Sequence, residues 1–257
     1  MIELGNKNVF VYWVGPSYSL IELLRKIMLF HSNGGNNYQL HLIHHQNINE
    51  YLTELPVDFY NLIPAYQADY VRVALVERYG GIWLDSDTLV MSDLSQLFSI
   101  LETQQGFFIR QNNNLLCNGV FGARAGTPLL AEWRQAMLSI IAEKGNQLIW
   151  SELGNLWLEE KYQTTDWFNE YTIFQGLDTM YPANWDVCVD AYLREPYIHH
   201  KQLIRPFQPL LVLVGTVYRK LEHHSIPDIL DADYPLNYFI KKSLEVGLAY
   251  NNKPLLK

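Results

Sequence analysis

Cysteine is scarce. The 257-residue chain has two, Cys117 and Cys188, which excludes a disulfide framework and predicts two buried thiols in a reducing compartment. Charge is scarce too, at 18% Asp, Glu, Lys and Arg against the roughly 25% usual for globular chains. Basic residues are outnumbered 19 to 27, a net charge of −8. A nucleic-acid binder needs a basic footprint to release counterions, so that class is excluded. The same deficit gives no support to binding an anionic membrane through bulk charge. A phosphate-bearing ligand must then be met locally, by a metal or by a few placed cations. Long apolar runs are missing: the longest, near 209–214, falls far short of the about 20 residues of a spanning helix. The start, MIELGNKNVF, has no secretory leader pattern. No repeat, low-complexity tract or long linker interrupts the chain. The expectation is one cytoplasmic α/β domain over residues 1–257.

Apolar residues make up 49% of the chain, and seven Trp, 17 Tyr and 11 Phe bring the aromatic share to 14%. Most of these rings must fill a core, leaving a few as platforms for flat ligands. Residues 8–14, Asn-Val-Phe-Val-Tyr-Trp-Val, read as a buried strand stopped by Gly15-Pro16. Ser17 or Ser19 is placed to cap a helix through about His31. A loop over 32–37 and a strand over 38–44 complete a β-α-β opening, which predicts a parallel sheet with a right-handed crossover. Residues 65–79 predict a helix with Ala68, Val71, Ala74 and Leu75 on its apolar stripe, ended by Gly80-Gly81. Strands are expected at 82–84, 88–90, 106–110 and 117–123, with helices at 93–98 and 128–142. Beyond 145 the pattern is irregular helix and loop.

Asp85 and Asp87 sit one residue apart just after an apolar strand. Open α/β sheets place ligands at the C-terminal ends of their strands. Two adjacent carboxylates repel unless a cation lies between them, and a hard divalent ion with oxygen ligands resolves that repulsion. The tripeptide alone reads equally as a solvated turn. Asp69 and Arg72, at i and i+3, share one face of an otherwise apolar helix, and Gly80-Gly81 allows a sharp turn into the strand. That arrangement predicts Asp69, Arg72, Asp85 and Asp87 at one rim. Tyr79 and Trp83 read as packing residues bordering it. Three histidine pairs, His44-His45, His199-His200 and His223-His224, add candidate nitrogen ligands, although neighbours in sequence usually point apart.

The spaced run Ala68-Asp69-Tyr70-Val71-Arg72, then Tyr79-Gly80-Gly81-Ile82-Trp83-Leu84-Asp85-Ser86-Asp87, resembles the signature of DXD-containing nucleotide-sugar glycosyltransferases. The nearest resemblance is to glycosyltransferase family 32 and the bacterial capsular-polysaccharide synthesis proteins, and it covers about residues 8–135 well and 150–225 loosely. It implies a GT-A fold: a Rossmann-like, mixed and mostly parallel sheet flanked by helices, with a less regular helical C-terminal part. It also implies a UDP-type donor sugar, Mn²⁺ or Mg²⁺, and retention of anomeric configuration. Residue by residue, it puts Tyr12 or Trp13 on the base, with Gly15 following. Asp85, Ser86 and Asp87 fall at the metal and diphosphate. Asp69, Arg72 and Asn118 fall at the donor sugar. The segment Glu222-His223-His224-Ser225 resembles the family's closing histidine motif, which would make His223 or His224 a metal ligand and bring His224 and Ser225 to the diphosphate. The implied acceptor is a glycan of capsule or lipopolysaccharide, lipid-linked forms included, met at the inner face of the cell membrane. A protein acceptor, as in effector toxins, is the alternative. Ile82 to Thr88 also fits the first motif of haloacid-dehalogenase-like phosphatases, but those open on that strand, whereas here other elements precede it. A sugar- or cation-binding module without turnover is the non-enzymatic alternative.

Overall fold

The computed structural model describes residues 4–33, 38–111, 113–194 and 196–251. Its strands, in chain order, are β1 (Asn8–Tyr12), β2 (Gln39–Ile43), β3 (Gly81–Leu84), β4 (Thr88–Val90), β5 (Gly106–Arg110), β6 (Leu116–Ala123), β7 (Tyr171–Gln175) and β8 (Leu210–Val212). The expected strands are all present, within two residues at each end. Most of the loop expected over 32–37 lies outside the described residues. Contacts divide the chain into two compact units. The first comprises Met1–Gly15, Tyr38–Asp85 and Gln96–Ile173; the second comprises Pro16–Asn37, Ser86–Ser95 and Phe174–Lys257.

The first unit carries a six-stranded sheet in the order β2-β1-β3-β6-β5-β7. β1 runs parallel to β2 and β3, while β6 is antiparallel to both β3 and β5. All five residues of β1 are buried, which is why its pattern is continuous rather than alternating. The Pro64–Tyr79 helix lies on this sheet and against the Pro128–Lys144 helix. Covered from both sides, it buries Tyr66, Gln67 and every residue from Tyr70 to Val76, so the single stripe expected from sequence is too narrow. Gly80 ends it at φ +66°, and Gly81 follows at φ +123°. A Cβ on Gly81 would run into the Asn8 carbonyl of β1, so this approach of helix end to strand requires glycine. The core of the unit is aromatic: Phe108 and Phe121 stack at 5.4 Å, and Trp133 and Trp157 at 5.8 Å.

The second unit buries Leu20, Leu23, Leu24 and Ile27 of the Ser19–Ser32 helix with Leu89, Leu211, Phe239 and Ile240. β4 and β8 form a two-stranded antiparallel sheet within it. The cap of the Ser19–Ser32 helix differs from expectation. Its N-cap is Tyr18, without a side-chain cap bond, and the Ser17 hydroxyl donates to Glu22 at 2.7 Å. No helix among the described residues is long and apolar enough to cross a membrane. Both cysteines are buried free thiols.

His31 is fully buried in this unit, its Nε2 3.0 Å from Ser243 Oγ. That hydroxyl gives its proton to the Val90 carbonyl, so His31 Nε2–H is the donor. Burial pulls the imidazole down to about 4, against smaller upward pulls from Ser243 and Asp93. The unfolded chain therefore binds this proton more tightly than the folded one. Stability is unaffected above the unfolded value of about 6.5 and falls as pH drops from there toward 4, by about 2 kcal/mol between pH 7 and pH 5. Urea titrations at the two pH values should show that loss, and His31→Gln should remove it.

Candidate active site

The three parallel strands end on one edge of the sheet, so Trp13, His45 and Asp85, which follow β1, β2 and β3, leave it on the same side. Asp85 takes one further ladder step, its N–H donating to the Gly119 carbonyl at 2.8 Å. Asn118 precedes that glycine on β6. Asp69 and Arg72 come from successive turns of the Pro64–Tyr79 helix.

These four side chains form one network. Arg72 Nη1 is 3.3 Å from Asp69 Oδ1, and Nη2 is 3.1 Å from Asp85 Oδ1. Asn118 Nδ2 donates to Asp69 Oδ1 at 2.9 Å, and Trp83 Nε1–H donates to Asp85 Oδ1 at 2.8 Å. Arg72 is 5% exposed, its Nε bonded to the Ala68 carbonyl at 3.2 Å and its guanidinium over the Trp83 ring. The i,i+3 pair is thus no surface salt bridge. One guanidinium serves two carboxylates, and the remaining charge is negative. Burial pushes Asp69 up to about 6 against the pull of Arg72; the Asp85 charge adds to the rise and the Asn118 amide opposes it. Burial raises Asp85 as well, with Arg72 and Trp83 opposing. The carboxyl of Asp85 is nevertheless one-third exposed, and its Oδ2 accepts no hydrogen bond among the described residues.

Two glycines shape this network and were not singled out from sequence. A Cβ on Gly119 would lie 2.6 Å from Asp85 Oδ2. One on Gly154 would overlap the Asn118 amide. Gly154→Ala is therefore expected to push Asn118 off Asp69 and reproduce the phenotype of Asn118→Ala. Donor turnover should fall by about 10–100-fold, the usual consequence of misplacing a binding group by an ångström. Turnover and melting measured on both variants check this. Trp83 was read as packing; it is fully buried, and it is also a donor to the site. The available signal was its i, i+2 spacing to Asp85, which puts both on one face of a strand.

Tyr12 is not a platform for a base. It is 4% exposed and its hydroxyl donates to Gln67 Oε1 at 2.7 Å. Gln67 Oε1 also receives His45 Nε2 at 2.7 Å, while its amide donates to the Leu62 carbonyl. Of the two aromatic candidates Trp13 alone keeps accessible surface, with Gly15 at φ +149° beside its ring. The chain passes to the second unit between Asp85 and Ser86. There Ser86 is buried, and the Asp87 carbonyl accepts from Leu213 N–H at 3.3 Å. Also in the second unit, His223 is exposed, 3.5 Å from Glu222, whereas His224 is half-buried, its Nδ1 without a hydrogen-bond partner among the described residues. Ser225 caps the Ile226–Asp231 helix through a reciprocal bond with Asp228, so its hydroxyl is committed to the helix rather than to a diphosphate. Among the described residues no three His, Cys, Asp or Glu side chains stand together as a metal cage.

A family model described as capsular polysaccharide synthesis protein matches residues 2–209. No curated protein matches the chain. Among solved structures, a glycosyltransferase involved in glycosylation of the major capsid of the virus PBCV-1 aligns over 84% of this chain and 97% of its own. It does so at 9% identity and a TM-score of 0.52. The glycosyltransferase GlyE of Streptococcus pneumoniae TIGR4 aligns at 14% identity over 95% of this chain and 62% of its own, with a TM-score of 0.49. The galactosyltransferase LgtC, solved with donor and acceptor sugar analogues, aligns at 11% identity over 96% and 97%, with a TM-score of 0.47. The mixed, helix-flanked sheet is the GT-A glycosyltransferase fold implied by the motifs. On that fold, and with four-fifths of its length matched by one family model, the chain belongs to the capsular polysaccharide synthesis protein family.

Proposed function

We propose that this chain is a retaining glycosyltransferase that moves a hexose from a nucleotide sugar, UDP-linked in the first instance, to a glycan acceptor of capsule or lipopolysaccharide. The observation that carries the reading is the Asp69–Arg72–Asp85–Asn118 network at the C-terminal end of β3. Hydroxyl-binding groups stand there beside a carboxylate that keeps one oxygen free. In this reading Asp69, Arg72 and Asn118 orient the sugar, and Trp13 faces the base. Two carboxylates fit a divalent ion that completes its shell on the substrate: an Mn²⁺ or Mg²⁺ ion would be held by Asp85 and Asp87 together with substrate phosphates. Such an ion supplies Lewis-acid stabilisation to the departing diphosphate. His224, with its unpartnered buried Nδ1, is the better ligand candidate of the histidine pair. The phosphatase reading uses Asp85 and Asp87 but leaves Asp69, Arg72 and Asn118 without a role.

A thermal-shift panel of nucleotide sugars with and without Mn²⁺, followed by donor hydrolysis on the hits, tests the proposal. The expected result is a metal-dependent rise in melting temperature with at least one UDP-sugar, since a ligand bound only by the folded state stabilises it, followed by slow release of UDP. Release of phosphate from simple phosphate esters, with no response to nucleotide sugars, would overturn it in favour of the phosphatase.

A further inference from the structure

The segment from Gly145 to Gly154 joins the Pro128–Lys144 helix to the Asn155–Thr164 helix, and it is tied down at most of its residues. Asn146 donates to the Asn61 carbonyl and accepts from Ile63 N–H, at 2.8 and 2.9 Å. The Leu148 carbonyl takes the Tyr66 hydroxyl at 2.7 Å, and the Leu153 carbonyl takes Trp133 Nε1–H at 2.6 Å. Glu152 pairs with Lys144 and accepts from Ile149 N–H. Leu148 and Leu153 point inward, 8% and 1% exposed. Between these anchors the chain makes two overlapping turns, Ile149–Glu152 and Ser151–Gly154, and Ser151 takes φ +71°, an uncommon conformation for a residue with a Cβ.

What this anchoring presents to solvent is Trp150, 73% exposed, with Ile149 at 68%. An indole carries about 150–250 Å² of surface that a loop would ordinarily bury. Here it stays exposed on a loop anchored on both sides, with Ser151 at a positive φ beside it. The position is also specific. Tyr66 and Ile63 lie at the start of the helix that carries Asp69 and Arg72, and Gly154 abuts the Asn118 amide. Trp150 and Gly154 are four positions apart, at most about 14 Å of extended chain, and the turns shorten that span. Trp150 therefore lies, by chain length, within about 14 Å of the glycine that abuts Asn118 at its bond to Asp69.

We infer that Trp150 is a binding platform for the acceptor saccharide, stacking under the C–H face of a pyranose ring next to the donor sugar. The inference rests on the glycosyltransferase reading above and adds to it a residue that sets acceptor specificity. The electron-rich face of the indole meets the weakly positive axial C–H groups of the sugar. Two rotatable side-chain bonds on a fixed loop keep the ordering cost low.

The test uses saturation-transfer NMR on the full chain with lactose, cellobiose and methyl β-glucopyranoside as probes, alongside UDP-sugar hydrolysis without acceptor. The native protein should transfer saturation to the ring C–H protons of at least one probe. Trp150→Ala should reduce that transfer at least fivefold, and Trp150→Phe should retain it within twofold. Donor hydrolysis should stay unchanged in both variants, because the loop anchors and Asn118 are intact. Equal transfer in Trp150→Ala, or none to any probe in the native protein, overturns the inference. If saccharide contact is lost in Trp150→Ala while the native protein hydrolyses no donor, the platform stands and the donor assignment fails.

Discussion

Asp87→Asn is expected to lower glycosyl transfer by about 10³-fold, the scale of removing one electrostatic group from a developing negative charge. The substitution conserves volume and changes one half-buried carboxylate to an amide. The melting temperature is measured alongside transfer, because Asp87 makes interactions of its own that the amide would alter. The charge of Asp87 is felt around it, since it adds to the rise of the buried Cys188 thiol and of Tyr218. Asp85→Asn gives a contrasting expectation. It removes the same kind of charge but also leaves the buried Arg72 with one carboxylate in place of two, so it should lose activity and stability together. Donor hydrolysis and circular-dichroism melts on both variants separate the two cases. Asp87→Asn activity within twofold of native would remove the diphosphate assignment.

The largest stability effect is expected at Arg72. Arg72→Met preserves the apolar stem and leaves Asp69 and Asp85 facing each other with no cation between them. Removing one partner of a buried charge network costs about 3–5 kcal/mol, and the partial exposure of Asp85 favours the lower end. For a chain of this size that is a fall of roughly 6–12 °C in melting temperature. Adding Asp69→Asn should recover part of the loss, because one orphaned carboxylate disappears; urea denaturation of the single and double variants gives the coupling. Arg72→Lys should not restore the native state, since one ammonium cannot reach two carboxylates as Nη1 and Nη2 do. A loss below about 1 kcal/mol in Arg72→Met would mean that the network does not hold the helix to the strand.

Much of the first unit is legible in sequence because its elements are punctuated. A β-branched and aromatic run stops at Gly15-Pro16, a helix stops at Gly80-Gly81, and two acids follow the strand after it. The convergence of Asp69, Arg72 and Asp85 could be anticipated because they lie within 17 positions joined by one helix and one turn, whereas Asn118 came only with the family resemblance. Gly154 could not: it meets Asn118 across 36 residues, and no local pattern encodes that contact. The choice between Tyr12 and Trp13 was undecidable for a simpler reason. Neighbours on a strand face opposite sides, and a continuous apolar run does not say which side is covered. Ser225 carried two signals at once, the motif resemblance and a Ser-x-x-Asp capping pattern; the helix cap is the one formed. The segments around 190–203 escape sequence reading because a π-turn and a short 3₁₀ stretch have no sustained period.

His31 and Ser243, hydrogen-bonded in the second unit, are 212 positions apart. During synthesis the segment Ser19–Ser32 leaves the ribosome about 200 residues before the helix Pro235–Asn251 that packs on its apolar face. The first unit has all its residues once Ile173 has emerged. The second must leave Leu20, Leu24 and Ile27 uncovered until Pro235–Asn251 emerges. Nascent chains stalled short of residue 235 should consequently engage a holding chaperone through that early helix, however well the glycine-punctuated sheet has already closed.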